Sequence, residues 1–270
     1  MKRWIRALAV CFVVLSVLGI GYVFADSNQG AIENEALIDE IWQGLYSFEN
    51  KFSVKYTGSD VGTAQENIEQ FWSRVFREDP LFSNIVERIN SVEYSVTEQA
   101  LVATFELEYK NGYDANGHKA VMAYVKKAAK AARQSSRTDY EVVKKINDKM
   151  CRDFHYDETY WNETPYDMIR DKSGVCSAYA ALFAMIAREC GIPVRVQSGR
   201  LAGGNHGWNL VNVGGAWYHL DVTNNDAARS GRYFLKSSKS LARSGFRWEK
   251  LEEDISPSDF KKGSSKVNKL

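Results

Sequence analysis

Residues 206–223 read HGWNLVNVGGAWYHLDVT. Two alternating runs flank Gly214-Gly215, and a Gly-Gly pair in that position is a two-residue hairpin turn. With those glycines at the tip, Val213 faces Ala216, Trp208 faces Asp221 and His206 faces Thr223. Side chains alternate between the faces of a strand. His206, Trp208, Leu210, Trp217, His219, Asp221 and Thr223 therefore share one face. Asp221 then stands diagonally across from His206, about 7–8 Å away at the backbone and within side-chain reach. A register slip of two keeps the pair together, whereas an odd slip separates it. The spacing predicts a carboxylate beside an imidazole, where it fixes the tautomer and stabilises the imidazolium.

Upstream, residues 173–190 read SGVCSAYAALFAMIAREC. The run predicts an apolar helix that opens at Cys176 and stops at Gly191, with Pro193 beyond. Gly174 is expected to let the chain turn sharply into it. A cysteine opening an apolar helix is, on its own, a packed small hydrophobe. At a helix N-terminus the dipole and the exposed N–H groups also favour a thiolate. The stripe Cys176, Tyr179, Ala180, Phe183, Ile186, Ala187 and Cys190 is expected to pack on the sheet and bring the thiol towards His206. Cys176, His206 and Asp221 are then the parts of a nucleophile, a general base and an orienting carboxylate. Each has a bland reading alone, as core thiol, hydrogen-bonded histidine or turn carboxylate, and only the joint pattern overturns these.

Further out, residues 31–48 and 63–79 carry helical spacing. VEYSV and LVATFELEY, separated by TEQA, predict a hairpin. KAVMAYVKKAAKAARQ predicts a helix whose lysines form a solvated face or touch an anionic polymer. In TDYEVVKKINDKMCRDF, Thr138 and Glu141 have capping-box spacing. PVRVQSGR, HGWNLVNV and AWYHLDVT follow as strands. Helices followed by antiparallel strands define an α+β domain. The organisation expected is 1–25 leader, 26–134 N-terminal α+β module, 135–253 catalytic-type domain and 254–270 polar tail, which from Phe260 reads as disordered.

The chain has 270 residues, a formal net charge of +1 and 44% hydrophobic residues, an ordinary globular composition that gives no sign of a nucleic-acid partner. MKRWIR followed by ALAVCFVVLSVLGIGYVFA reads as a secretory signal peptide ending at Ala25, with an uncleaved N-terminal anchor as the competing reading. In both cases the body of the protein lies outside the cytoplasm, secreted or tied to the cell envelope. Membrane contact is expected only through that segment. Cys151, Cys176 and Cys190 follow the leader. An odd number of thiols leaves one free. A Cys151–Cys190 bridge and two buried unpaired thiols are both open. The four histidines lack zinc-type spacing, so no metal is expected.

Three blocks, GVCSAYAALFAMIARECGIPVRVQSG, HGWNLVNVGGAWYHLDVTNND and RYFLKSS, resemble the bacterial transglutaminase-like domain over about residues 138–236. That resemblance implies a papain-like fold with Cys176 as nucleophile, His206 as general base and acid, and Asp221 as orienting carboxylate. It also implies acyl transfer through a thioester, without cofactor or calcium, on a protein or peptide substrate, cell-wall peptide among the candidates. Water as acceptor gives a peptidase or amidase, the favoured outcome. A lysine amine gives a cross-linking transglutaminase, and a non-catalytic cell-envelope binding module is the third reading. Two positions depart from relatives: Gly207 stands where Ala follows the histidine, and Ala178 stands where Gly is common. For the oxyanion, the Cys176 backbone N–H is the expected donor, with Tyr156 or Trp161 as side-chain candidates.

Overall fold

The computed structural model describes residues 35–261 except 59, 80, 135, 229 and 250–252. The predicted leader lies outside the described residues. The described residues form two compact units, 35–76 with 86–115, and 77–85 with 116–261.

The first unit carries α1 (Glu35–Ser47), β1 (Lys51–Thr57), α2 (Val61–Glu78), β2 (Val86–Val96) and β3 (Ala100–Tyr109). The expected hairpin is present, with Val96 paired to Leu101. β3 is the central strand, and Leu101, Ala103, Phe105, Leu107 and Tyr109 all turn to the core. β1, unforeseen from the sequence, completes the antiparallel sheet beside β3. Its KFSVKYT sets Phe52, Val54 and Tyr56 on one face and polar residues on the other, a period-two signal that sequence reasoning missed, although Val54 alone is buried.

The second unit begins with the short α3 (Phe82–Ile85). It continues through α4 (Ala115–Gln134), α5 (Asp139–Asp153), β4 (His155–Tyr156), α6 (Pro165–Asp171) and β5 (Ser173–Gly174). Then come α7 (Cys176–Glu189), β6 (Val194–Leu201), β7 (Gly204–Val213), β8 (Ala216–Leu220), α8 (Val222–Ala227) and α9 (Ser238–Arg243). Thr138 caps α5 by accepting from the Glu141 N–H (3.3 Å). The Glu141 carboxylate reaches one residue further than a capping box, to the Arg137 N–H (2.6 Å).

α7 is apolar all round because it is buried all round: Ala178 to Ala184 are inaccessible. It ends with Gly191 in the left-handed region (φ 70°) and an Ile192 N–H to Ala187 carbonyl bond. Its stripe does not face the sheet as one strip. Ala180 meets β7, the Tyr179 hydroxyl donates to Asp226 (2.7 Å), and the Cys190 thiol points at the Ala129 carbonyl of α4 (3.7 Å). Cys151 instead points at the Val222 carbonyl of α8 (3.8 Å). All three thiols among the described residues are free, so the Cys151–Cys190 bridge is not formed.

The antiparallel sheet runs β6-β7-β8. Gly214 and Gly215 both have positive φ (64° and 85°), which only glycine adopts without cost at two successive positions, and Val213 pairs with Ala216 as predicted. α7 covers the face of Gly207 and Asn209. The C-terminal segment covers the other face, where Trp208, Leu241 and Phe246 form a buried cluster against Leu201, Tyr233 and Trp248. Phe260, expected to open a disordered tail, is instead docked, stacking on Tyr140 with ring centroids 5.0 Å apart.

Candidate active site

The strand predicted over AWYHLDVT ends at Leu220, because Asp221 turns the chain into α8 as its N-cap. The carboxylate accepts from the Asn224 N–H (3.0 Å) through Oδ1 and from the Asn224 amide (2.6 Å) through Oδ2. Asp has short reach and acceptor oxygens, which suit it to this position. Once β8 has left, β7 beyond Asn209 pairs on its β6 side alone. The start of α7 comes up beside that stretch.

Asp221 is inaccessible to solvent, and its Oδ2 lies 2.8 Å from His206 Nε2. The Asn224 amide is also 3.2 Å from that nitrogen. Nε2 is thus committed to the Asp221 side, and the His206 ring lies close enough to the Cys176 thiol to lower its pKa. The Gly207 N–H acts on the same sulfur in the same direction. The structure therefore brings Cys176, His206 and Asp221 together. Cys176 is half-buried.

Burial disfavours a Cys176 thiolate, but the His206 hydrogen bond and charge and the Gly207 N–H outweigh it, so the thiol lies below its ordinary pKa. The N-cap of α7 is Val175, which makes no side-chain cap, so the positive end of the dipole acts directly on Cys176. Burial likewise opposes a charged His206, but Asp221 and Cys176 carry it up to about 9. The pair is set up as thiolate and imidazolium.

The glycine before the nucleophile has a different reason from the one expected. Gly174 does not occupy the left-handed region; a Cβ there would lie 2.9 Å from Met168 Cγ, so packing against buried Met168 excludes a side chain. Asn224 is the site residue that sequence reasoning missed. Trp161 is 76% exposed. Tyr156 lies close enough to Cys176 and Tyr160 for both, after burial, to help raise its hydroxyl to about 12.

An α+β, papain-like arrangement, with a cysteine opening a buried helix and a histidine on the neighbouring sheet, defines the class. Residues 126–222, within the second unit, match the transglutaminase-like superfamily. No curated protein matches the chain. Among solved structures, it is similar to a protein from Cytophaga hutchinsonii described as a candidate cysteine protease, at 20% identity over 47% of this chain and 55% of that one, with a TM-score of 0.35. It is also similar to a TGase at 14% identity over 50% of this chain and 44% of that one, TM-score 0.34. The periplasmic domain of TgpA from Pseudomonas aeruginosa, bound to ethylmercury, matches at 15% identity over 66% of this chain and 73% of that one, TM-score 0.33. The chain spans about half the length of the first of these.

Proposed function

We propose that the protein is an exported cysteine-dependent acyl-transfer enzyme that opens peptide or amide bonds through a thioester, with water as acceptor. The observation that carries this reading is His206 held 2.8 Å from buried Asp221, with the Cys176 thiol near enough to that ring to be lowered by it. The Cys176 sulfur attacks the carbonyl carbon, and the C–N bond breaks as the His206 imidazolium gives its proton to the leaving amine. Water then adds to the thioester, giving its proton to the now neutral imidazole. The carboxylic acid leaves and the thiol is restored. The Cys176 backbone N–H, at the start of α7, is the donor we assign to the developing oxyanion.

Export is part of the same proposal. It rests on the basic start and apolar run of residues 1–25. Among the described residues, no helix is long and apolar enough to cross a membrane. N-terminal sequencing should find Asp26 first; a chain beginning at Met1 would leave an anchored protein.

The chemistry is tested by alkylation with iodoacetamide at about pH 6, followed at Cys176. An ordinary thiol is well under 1% thiolate there, about 0.3%. Fast labelling that depends on His206 is expected. Slow labelling would favour a binding module of the same fold. Peptide-library turnover with and without an added amine separates the acceptors: an amide product formed with the amine would replace hydrolysis by cross-linking.

A further inference from the structure

The loop of residues 157–163, DETYWNE, has a use that the triad does not absorb. Its buried Asp157 carboxylate holds the loop from within. Oδ1 accepts from the Thr159 N–H (3.0 Å) and hydroxyl (2.6 Å), and Oδ2 from the Trp161 (3.0 Å) and Asn162 (2.8 Å) N–H groups. The loop is stitched to the chain that delivers the nucleophile. The Val175 N–H donates to the Asn162 carbonyl (3.0 Å), the Asn162 amide to Ser173 Oγ (2.7 Å) and the Ser177 hydroxyl to the Glu163 carbonyl (3.4 Å).

On this braced loop stand Tyr160, 62% exposed, and Trp161, 76% exposed. Large aromatic side chains are ordinarily among the well-buried ones. Tyr160 also has φ 62°, an outlier for a bulky residue that persists only where its surroundings over-determine it. The Tyr160 ring lies 6.1 Å from the ring of Tyr156, and Tyr156 pairs with Gly174, two residues before Cys176. The rings are therefore held out in solvent on the flank of the nucleophile.

The charged residues of the loop itself, Asp157, Glu158 and Glu163, have one sign. Glu158 and Glu163 flank the rings in the sequence, and no Lys or Arg occurs from Phe154 to Ile169. The cations that follow are engaged: Arg170 binds Asp171 through two bonds (2.8 and 2.7 Å), and Lys172 lies over the Phe154 ring. Exposed aromatic faces with carboxylates nearby attract a cation through the ring quadrupole.

We infer that Tyr160 and Trp161 form a recognition platform beside Cys176 for a basic side chain, lysine or arginine, of the peptide substrate. This rests on the acyl-transfer reading and adds the substrate's charge to it. The test uses peptidyl vinyl sulfones on the full chain, differing only by lysine or norleucine at each position next to the electrophile. Addition of Cys176 to the vinyl carbon forms the C–S bond, and the adjacent carbon takes up a proton. The rate is read by mass at Cys176. Lysine should be preferred at one position by about two- to fivefold per ring. The preference should shrink by that factor in Trp161→Ala and in Tyr160→Ala, weaken in Glu158→Gln, survive in Trp161→Phe and shrink with added salt. Iodoacetamide labelling of Cys176 should be unchanged in all four variants. Fast labelling without a lysine preference, or with one that Trp161→Ala leaves undiminished, overturns the platform alone. Slow labelling by every reagent, independent of His206, overturns the acyl-transfer reading and the platform with it.

Discussion

His206 and His219 lie on the same face of the same sheet, on neighbouring strands, and both pack against Trp208, with ring centroids 5.9 and 6.2 Å away. Both are largely buried. Their protonation runs in opposite directions. Burial takes His219 down to about 4, while His206 is carried up to about 9. The difference lies in the partners. Trp208 Nε1–H donates to His219 Nδ1 (3.0 Å), so that nitrogen is the acceptor and Nε2 carries the proton towards Ser238 Oγ (3.1 Å). A neutral ring is the one that satisfies both bonds. His206 meets a carboxylate and a thiol instead. One face of one sheet thus holds a structural imidazole and a chemical one. Burial acts alike on both, and the charge of the neighbour decides. Two cysteines repeat the lesson: Cys151, half-buried near Asp226 and Asp148, is pushed up to about 12, while Cys176, beside His206, is lowered.

The largest test removes the chemical side of this comparison. Cys176→Ala and His206→Ala should each abolish turnover with the fold retained, since members of such a unit act together and a single loss approaches the full loss. Circular dichroism alongside the peptide assay checks both halves. Normal activity in Cys176→Ala would end the proposed mechanism.

A sharper test makes His206 resemble His219. Asp221→Asn keeps an acceptor for the Asn224 N–H but removes the charge. Turnover should fall by up to about ten-thousandfold. Wild-type turnover, which needs the imidazolium as acid, should decline as pH rises through about 9, the value for His206. In the variant that decline should move towards the ordinary value of about 6.5. A pH–rate profile with an unmoved upper limb would show that Asp221 does not hold the proton on His206.

The structural histidine has its own signature. Its folded pKa, about 4, lies below the unfolded value, so the unfolded chain takes the proton first. The stability it preserves is complete above about pH 6.5 and is lost as pH falls towards 4, a loss of about 3 kcal/mol. Urea unfolding at about pH 4.5 and 7 reads it. His219→Gln should flatten that slope, at a cost near neutrality of about 1–3 kcal/mol for the Trp208 N–H it leaves poorly paired. An equally steep slope in the variant would assign the acid sensitivity elsewhere.

The sequence carried the hairpin and the His206–Asp221 pairing because both follow from short-range rules: two glycines at positive φ fix the register, and period-two alternation then fixes the face. Asn224 was hidden for a related reason. LDVT continues the β-rich pattern, so nothing local announces that Asp221 opens a helix and folds Asn224 back onto its carboxylate. Which face α7 covers was also illegible. The histidine face looked like the side awaiting the helix, but Phe246 and Trp248 occupy it, and they arrive from far along the chain. Gly174 was read correctly as a required glycine and for the wrong cause, because its constraint is contact with Met168 rather than a backbone angle.

The two faces can be separated by the smallest substitution available. Gly207 faces α7, and a Cβ built there would lie 3.9 Å from the Cys176 carbonyl oxygen and Ser177 Cα, an ordinary contact. Its backbone is outside the left-handed region, and the N–H that reaches the thiol is unaffected by a side chain. Gly207→Ala should therefore leave Cys176 labelling within about twofold and stabilise the fold by about 0.4–1 kcal/mol through the unfolded chain. Gly199, paired with His206 across β6 and β7, faces the other way. A Cβ there would fall 2.3 Å from the Arg247 carbonyl oxygen and 2.6 Å from Trp208 Cη2. Backbone and a buried indole cannot both give way, so Gly199→Ala should lower stability, by about 1–3 kcal/mol for an overpacked site, and disturb the ring on which His206 rests. Thermal unfolding and iodoacetamide labelling of the two variants decide the matter. Loss of labelling in Gly207→Ala, with Gly199→Ala behaving as wild type, would reverse the assignment of the faces.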